Sequence, residues 1–179
     1  MILKGTKIYL KKGLSDKGYF SLLNWFHDLE VIRYLNFAKE ALKFNTIRDV
    51  KSFLKKPKNN IIFGIYANNG KLIGYSDIFN ASNKSCWFGI IVGDKDYWGK
   101  GIGTETTRLI IDYAFNKLGM KKIVLTTTEH NKNAVKLYKK IGFKIVKKVP
   151  KDRYVFLRNK WVRGDSIRME LNKNMRERL

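Results

Sequence analysis

The sequence predicts one mixed α/β domain on a largely antiparallel sheet, with six or seven strands and about four flanking helices. Three observations carry this. Two β-rich runs, residues 61–67 and 71–80, are joined by Asn68-Asn69-Gly70, where Asn and Gly accept the positive φ of a tight hairpin. A helical segment over 103–118 separates a strand ending at Val92 from one starting at Lys122, and such a crossover makes those two strands parallel. The 179 residues are 44% hydrophobic and 13% aromatic, enough for a core in one domain.

The elements follow in order. Residues 7–11 read as a short strand, and 16–35 as helical segments in which Tyr19, Leu22, Leu23 and Phe26 recur at helical spacing. Thr46 can cap a third helix running to Lys55, with Asp49 in its first turn and Val50, Phe53 and Leu54 on one face. After the hairpin comes a strand over 85–92, rich in aromatic and β-branched residues. The crossover helix ends at Gly119, the strand 122–128 follows, and a helix over 131–141 is closed by Gly142. Residues 143–150, 153–157 and 165–171 read as strands, and 172–179 as a polar, frayed tail to the domain formed by 1–171.

Composition narrows the function classes. Net charge is +22, from 37 Lys plus Arg against 15 Asp plus Glu, so the surface attracts anions over about one Debye length. A nucleotide cofactor, an acidic substrate or RNA would each answer to that. Runs such as Lys55-Lys56-Pro57-Lys58 lack the aromatic interleaving needed for base stacking and read as solvated faces. Residues 1–10 have no long apolar core or cleavage pattern, and no stretch approaches the roughly 18 apolar residues of a membrane span, so no membrane association and a cytoplasmic protein are expected. The single cysteine, Cys86, sits in a strand pattern rather than an exposed catalytic setting. No His, Cys and carboxylate cluster has metal-ligand spacing, so no metal is implied.

The chemistry concentrates in Trp98-Gly99-Lys100-Gly101-Ile102-Gly103-Thr104-Glu105, where glycines alternate with other residues between a strand and a helix. Glycine at that spacing lets successive backbone N–H groups converge, and the helix N-terminus adds partial positive charge, an arrangement suited to a pyrophosphate. A dinucleotide fingerprint would need its last glycine at Thr104 or Thr106. A Walker loop would need Ser or Thr after Lys100, which Gly101 occupies, and a glycine at Asp94.

These residues resemble the GNAT superfamily of acyl-CoA-dependent N-acetyltransferases, whose central motif, Arg/Gln-x-x-Gly-x-Gly/Ala, is similar to Trp98-Gly99-Lys100-Gly101-Ile102-Gly103 with Trp98 replacing the first residue. A second family motif, Asn followed seven residues later by Tyr and then Gly-Phe, matches Asn131, Tyr138, Gly142 and Phe143. The opening Leu3-Lys4-Gly5, residues 29–35, Arg153-Tyr154-Val155-Phe156 and residues 165–169 look like the branch with ribosomal-protein N-terminal and spermidine acetyltransferases. The resemblance implies a sheet splayed at its centre, with Ile91 and Val92 offering backbone groups to the pantetheine arm of acetyl-CoA. It implies that the backbone of Gly99, Lys100, Gly101, Ile102, Gly103 and Thr104 holds the pyrophosphate, and that Asn131 bonds the pantetheine arm or caps its helix. Lys136, with Lys132 and Lys139, would meet the adenosine phosphates. Tyr138 would protonate the departing coenzyme A thiolate, since a phenol of ordinary pKa about 10 stays protonated at neutral pH.

The acceptor amine must lose a proton before it attacks, and the motifs name no base. Glu129, just past a strand end, is the first candidate, followed by Glu105, His130 and Asp165; Glu105 also reads as a complement to the helix dipole, and His27 as structural. The expected function is acetyl transfer by direct attack in a ternary complex, to a protein N-terminus, a small amine or an amino sugar. A polyamine acceptor is disfavoured by the positive charge unless acids line the pocket. Ribosome association and a monomer or homodimer are further expectations. The alternative is a basic RNA- or ribosome-binding protein that keeps the fold without catalysis.

Overall fold

The computed structural model describes residues 1–176. Its centre is one sheet of eight strands: β1 (Ile2–Lys4), β2 (Ile8–Lys12), β3 (Ile61–Ala67), β4 (Leu72–Ser82), β5 (Ser85–Val92), β6 (Lys122–Thr128), β7 (Lys144–Leu157) and β8 (Lys160–Asn172). They lie in the order β1-β2-β3-β4-β5-β6-β8-β7, all neighbours antiparallel except β5 and β6. The expected fold class and the single parallel pair are present. The helices are α1 (Asp16–His27), α2 (Leu29–Ile32), α3 (Ala38–Ala41), α4 (Ile47–Lys55), α5 (Ile102–Asn116), α6 (Lys132–Ile141) and α7 (Lys173–Arg176), so four longer helices stand beside three of a single turn.

The differences from expectation have local causes. β1 is too short to carry an alternating pattern and exists because it pairs with β2. The helical stretch 16–35 breaks at Asp28, whose carboxylate accepts from the amides of Glu30 and Val31 and so restarts the chain as α2. Thr46 does cap α4: its hydroxyl accepts from Asp49 N at 3.2 Å while Asp49 Oδ2 accepts from Thr46 N at 2.9 Å. In the hairpin only Gly70 has a positive φ, +85°. Residues 144–157 form one strand instead of two, because β7 is the sheet's edge and a register shift between Val149 and Arg153 accommodates Pro150, which has no N–H to give. Of the expected tail 172–179, Asn172 ends β8 and α7 follows; residues 177–179 lie outside the described residues.

Each face of the sheet has its own core. On one, Ile110, Ile111 and Ala114 of α5 pack with Ile8, Leu10, Phe63, Ile65 and Ile123. On the other, Leu22, Phe26, Val50 and Leu54 of α1 and α4 cover Tyr75 and Ile91. Each large apolar side chain buried this way stabilises the fold by about 1.5–3 kcal/mol. Cys86 is fully buried, and burial pushes its thiol up to about 12, which leaves it unreactive.

What matters for function is where the sheet opens. β5 and β6 pair only from Ser85 to Trp87 and from Lys122 to Val124. Beyond Trp87 one backbone edge of β5 faces the gap, while its other edge remains paired with β4 as far as Val92.

Candidate functional site

A cleft follows that gap. The glycine loop stands at one end, with Gly99 and Gly101 in the left-handed region at φ +73° and +82°. A Cβ built on Gly99 would meet nothing within 4 Å, and one on Gly101 only Lys7 Nζ at 3.6 Å, so the loop is an open cradle. None of the six amides from Gly99 to Thr104 donates to a protein acceptor in the described hydrogen bonds. Three of them belong to the first turn of α5, where N–H groups have no intrahelical partner and the helix dipole is positive. The residues therefore fit an anionic diphosphate.

The loop is braced from outside. Glu105 accepts from the amides of Thr6 and Lys7, and Lys7 Nζ donates to the Lys100 carbonyl at 3.0 Å. Trp98 Nε1 donates to the Val92 carbonyl at 2.7 Å, tying the loop to the end of β5. Trp98, the residue that departs from the family motif, thus takes up the Val92 carbonyl.

Gly99, Gly101, Ile102, Gly103, Thr104, Ile91, Val92, Asn131, Lys136 and Tyr138 all line the cleft. Lys100 does not; its ammonium lies 5.5 Å from the centre of the Tyr97 ring. Asn131 caps α6, its Oδ1 accepting from Ala134 N at 3.3 Å, which leaves its side-chain NH2 for the cleft.

Tyr138 is 8% exposed, held edge-on by Phe88 and by Phe143. Its hydroxyl has no protein partner in the described hydrogen bonds, and burial raises its pKa, so it stays a neutral proton donor throughout the physiological range.

The candidate bases fare differently. Glu129 does not line the cleft: its Oε2 accepts from Lys148 Nζ at 2.8 Å, and Lys148 also pairs with Asp165 at 3.3 Å. Glu105 is engaged at the N-terminal turn, and His27 Nε2 meets the Phe44 carbonyl at 2.8 Å. His130 lines the cleft beside Gly164.

A carboxyl that sequence reasoning missed also lines it. Asp77 of β4 is 6% exposed, and burial pushes its pKa up to about 7 against an opposing hydrogen bond from Asn60. It faces Gly89 across the β4–β5 ladder, and a Cβ there would press onto Asp77 Oδ1, so the glycine makes room for the carboxyl. The signal was available: one acid inside the apolar run from Ile73 to Phe79 pays desolvation that a structural role seldom demands.

The chain is similar to known proteins. A family model described as an acetyltransferase (GNAT) domain matches residues 14–144. Probable N-acetyltransferase YjcK of Bacillus subtilis is 34% identical over 156 residues, covering 79% of this chain and 83% of that protein. An uncharacterized protein of Methanocaldococcus jannaschii is 24% identical over 154 residues, 84% of this chain; the match covers 31% of that relative's length. The solved spermidine N-acetyltransferase of Vibrio cholerae, in complex with CoA and spermine, superposes with a TM-score of 0.82 at 19% identity, covering 97% of this chain and 99% of that one. At that identity it is the fold that is shared. Among the described residues, no helix is long and apolar enough to cross a membrane.

Proposed function

This chain belongs to the GNAT acetyltransferase family, and we propose that it acetylates a small amine by direct attack in the cleft, with Asp77 as base and Tyr138 as acid. Membership makes it an acetyl-CoA-dependent N-acetyltransferase. The observation that carries the reading is a row of unpaired amides opening into a cleft that also contains a buried carboxyl and a buried phenol. Acetyl-CoA supplies the activated acetyl thioester. The amides from Gly99 to Thr104 grip its diphosphate, Lys136 meets the adenosine phosphates, and the open edge of β5 at Ile91 and Val92, apart from the Val92 carbonyl that Trp98 takes, aligns its pantetheine arm.

The acceptor arrives as an ammonium without a lone pair. Asp77 takes one proton from it and later releases that proton to solvent. Tyr138 gives its phenol proton to the departing sulfur and recovers one from the nitrogen that has gained the acetyl group. The sum is one amide, one thiol and one proton released. Asp77 suits the role that Glu129 was expected to fill, because Glu129 is held by Lys148 outside the cleft.

A polyamine such as the spermine of the Vibrio cholerae complex finds little here to neutralise it. Glu30 and Glu40 line the cleft, but Lys95 holds the first at 3.1 Å and Lys56 the second at 3.0 Å.

The test is release of free coenzyme A from acetyl-CoA across a panel of amines, as a function of pH. A base works only when deprotonated, and burial has raised this one. Activity should therefore be present above about pH 7 and fall away below it. Asp77→Asn should lower kcat by about 10²- to 10⁴-fold and abolish that acidic limb. A variant that keeps both its rate and its pH profile would remove Asp77 from the mechanism.

A further inference from the structure

Arg153 lines the same cleft and is 6% exposed. Its Nε donates to Ser166 Oγ at 2.8 Å, and that hydroxyl passes its own proton to Asp152 Oδ2 at 2.5 Å. Its Nη1 donates to the Tyr34 carbonyl at a long 3.4 Å. A guanidinium has five N–H donors, so these contacts leave three without a protein acceptor. Among the described residues no carboxylate forms an ion pair with it. Burial pulls its pKa below the ordinary value, against the charge of Asp152. A buried cation whose nearest carboxylate, Asp152, reaches it only through the Ser166 hydroxyl is costly to maintain, and a stability role alone would be met better by an apolar residue of similar size.

We propose that Arg153 receives an oxyanion carried by the acceptor, so that the natural substrate is an amine bearing a carboxylate or phosphate. The inference rests on the acetyl-transfer reading. Asp77 on β4 and Arg153 on β7 stand on opposite sides of the split between β5 and β6. An acceptor with its ammonium at the first and its anion at the second spans the gap where the thioester arrives. Paired Nη donors match either oxyanion in a two-pronged contact. Arg33 lines the same cleft, and Phe37, Phe79 and Trp87 offer an apolar wall for the part between the charges. The net charge of +22 draws such an acceptor in, where it would repel a polycation.

Two matched pairs separate the anion sources: phenylalanine against phenylalaninamide, and glucosamine 6-phosphate against glucosamine. The wild-type protein should bind and acetylate the anionic member of one pair in preference to its neutral partner. Arg153→Gln keeps an amide near Ser166, at the position of Nε, but gives up the long contact to the Tyr34 carbonyl and removes the charge. It should raise KM for the anionic acceptor by about 10- to 100-fold, with kcat and the neutral acceptor little changed, and Arg153→Lys should recover part of the loss. Equal losses for charged and neutral acceptors, or no preference in the wild-type protein, would overturn the assignment. Calorimetry with the same four compounds reads Arg153 without turnover. Anion binding that disappears in Arg153→Gln, with no acetyl transfer by the wild-type protein, upholds the anion site and refutes the catalytic reading. Acetyl transfer to neutral amines with no anion binding does the opposite.

Discussion

Tyr138→Phe lowers turnover by about 10²- to 10⁴-fold while acetyl-CoA affinity stays within about twofold of the wild-type value. The variant loses one oxygen and no packing. Phe88 and Phe143 hold the ring, and the hydroxyl makes no hydrogen bond to protein among the described residues, so its removal leaves no orphaned partner. What disappears is the proton that the leaving sulfur needs. Burial keeps the phenol protonated well above neutrality, so Tyr138 adds no inflection of its own near pH 7, and the acidic limb assigned to Asp77 should persist in Tyr138→Phe at reduced amplitude. Steady-state rates across pH, with calorimetric acetyl-CoA titration, check both halves. Unchanged turnover with a good acceptor would remove Tyr138 from the mechanism.

Gly101→Val acts on binding rather than chemistry. At φ +82° a β-branched side chain is strained by roughly 1–2 kcal/mol, and relief turns the amides of the loop away from their common focus. Each charge-assisted hydrogen bond lost from the diphosphate is worth about 1.5–3 kcal/mol. Losing two therefore weakens acetyl-CoA by roughly 10²- to 10⁴-fold, since each 1.4 kcal/mol is a factor of ten. The fold should survive, because a Cβ at Gly101 meets only the end of Lys7. A melting temperature close to wild type together with lost acetyl-CoA binding is the expected pair of results.

Asn131 and Tyr138 stood out only through the resemblance to the family's Asn-to-Tyr spacing, whereas the glycine loop was legible because its requirement is local, a positive φ at a turn into a helix. The parallel pair was legible for the same reason, since a helix between two strands leaves little choice of direction. Asp77 was not, because its meaning comes from its neighbours: Gly89 lies twelve residues away and must be small, and Asn60 reaches it from another loop. Glu129 looked free for a related reason, as its partner Lys148 is nineteen residues on, across α6 and into β7. Arg153 stood in view inside a flank of the family resemblance, but its lack of a direct ion pair becomes visible only when β7, β8 and the segment around Tyr34 come together.

Amide hydrogen exchange read residue by residue, with and without CoA, reports whether the free amides of this loop hold a diphosphate. Slowed exchange is expected at residues 99–104, and is absent when pantetheine, which has no diphosphate, replaces CoA. CoA binding that leaves exchange at those six amides unchanged would contradict that hold on the diphosphate.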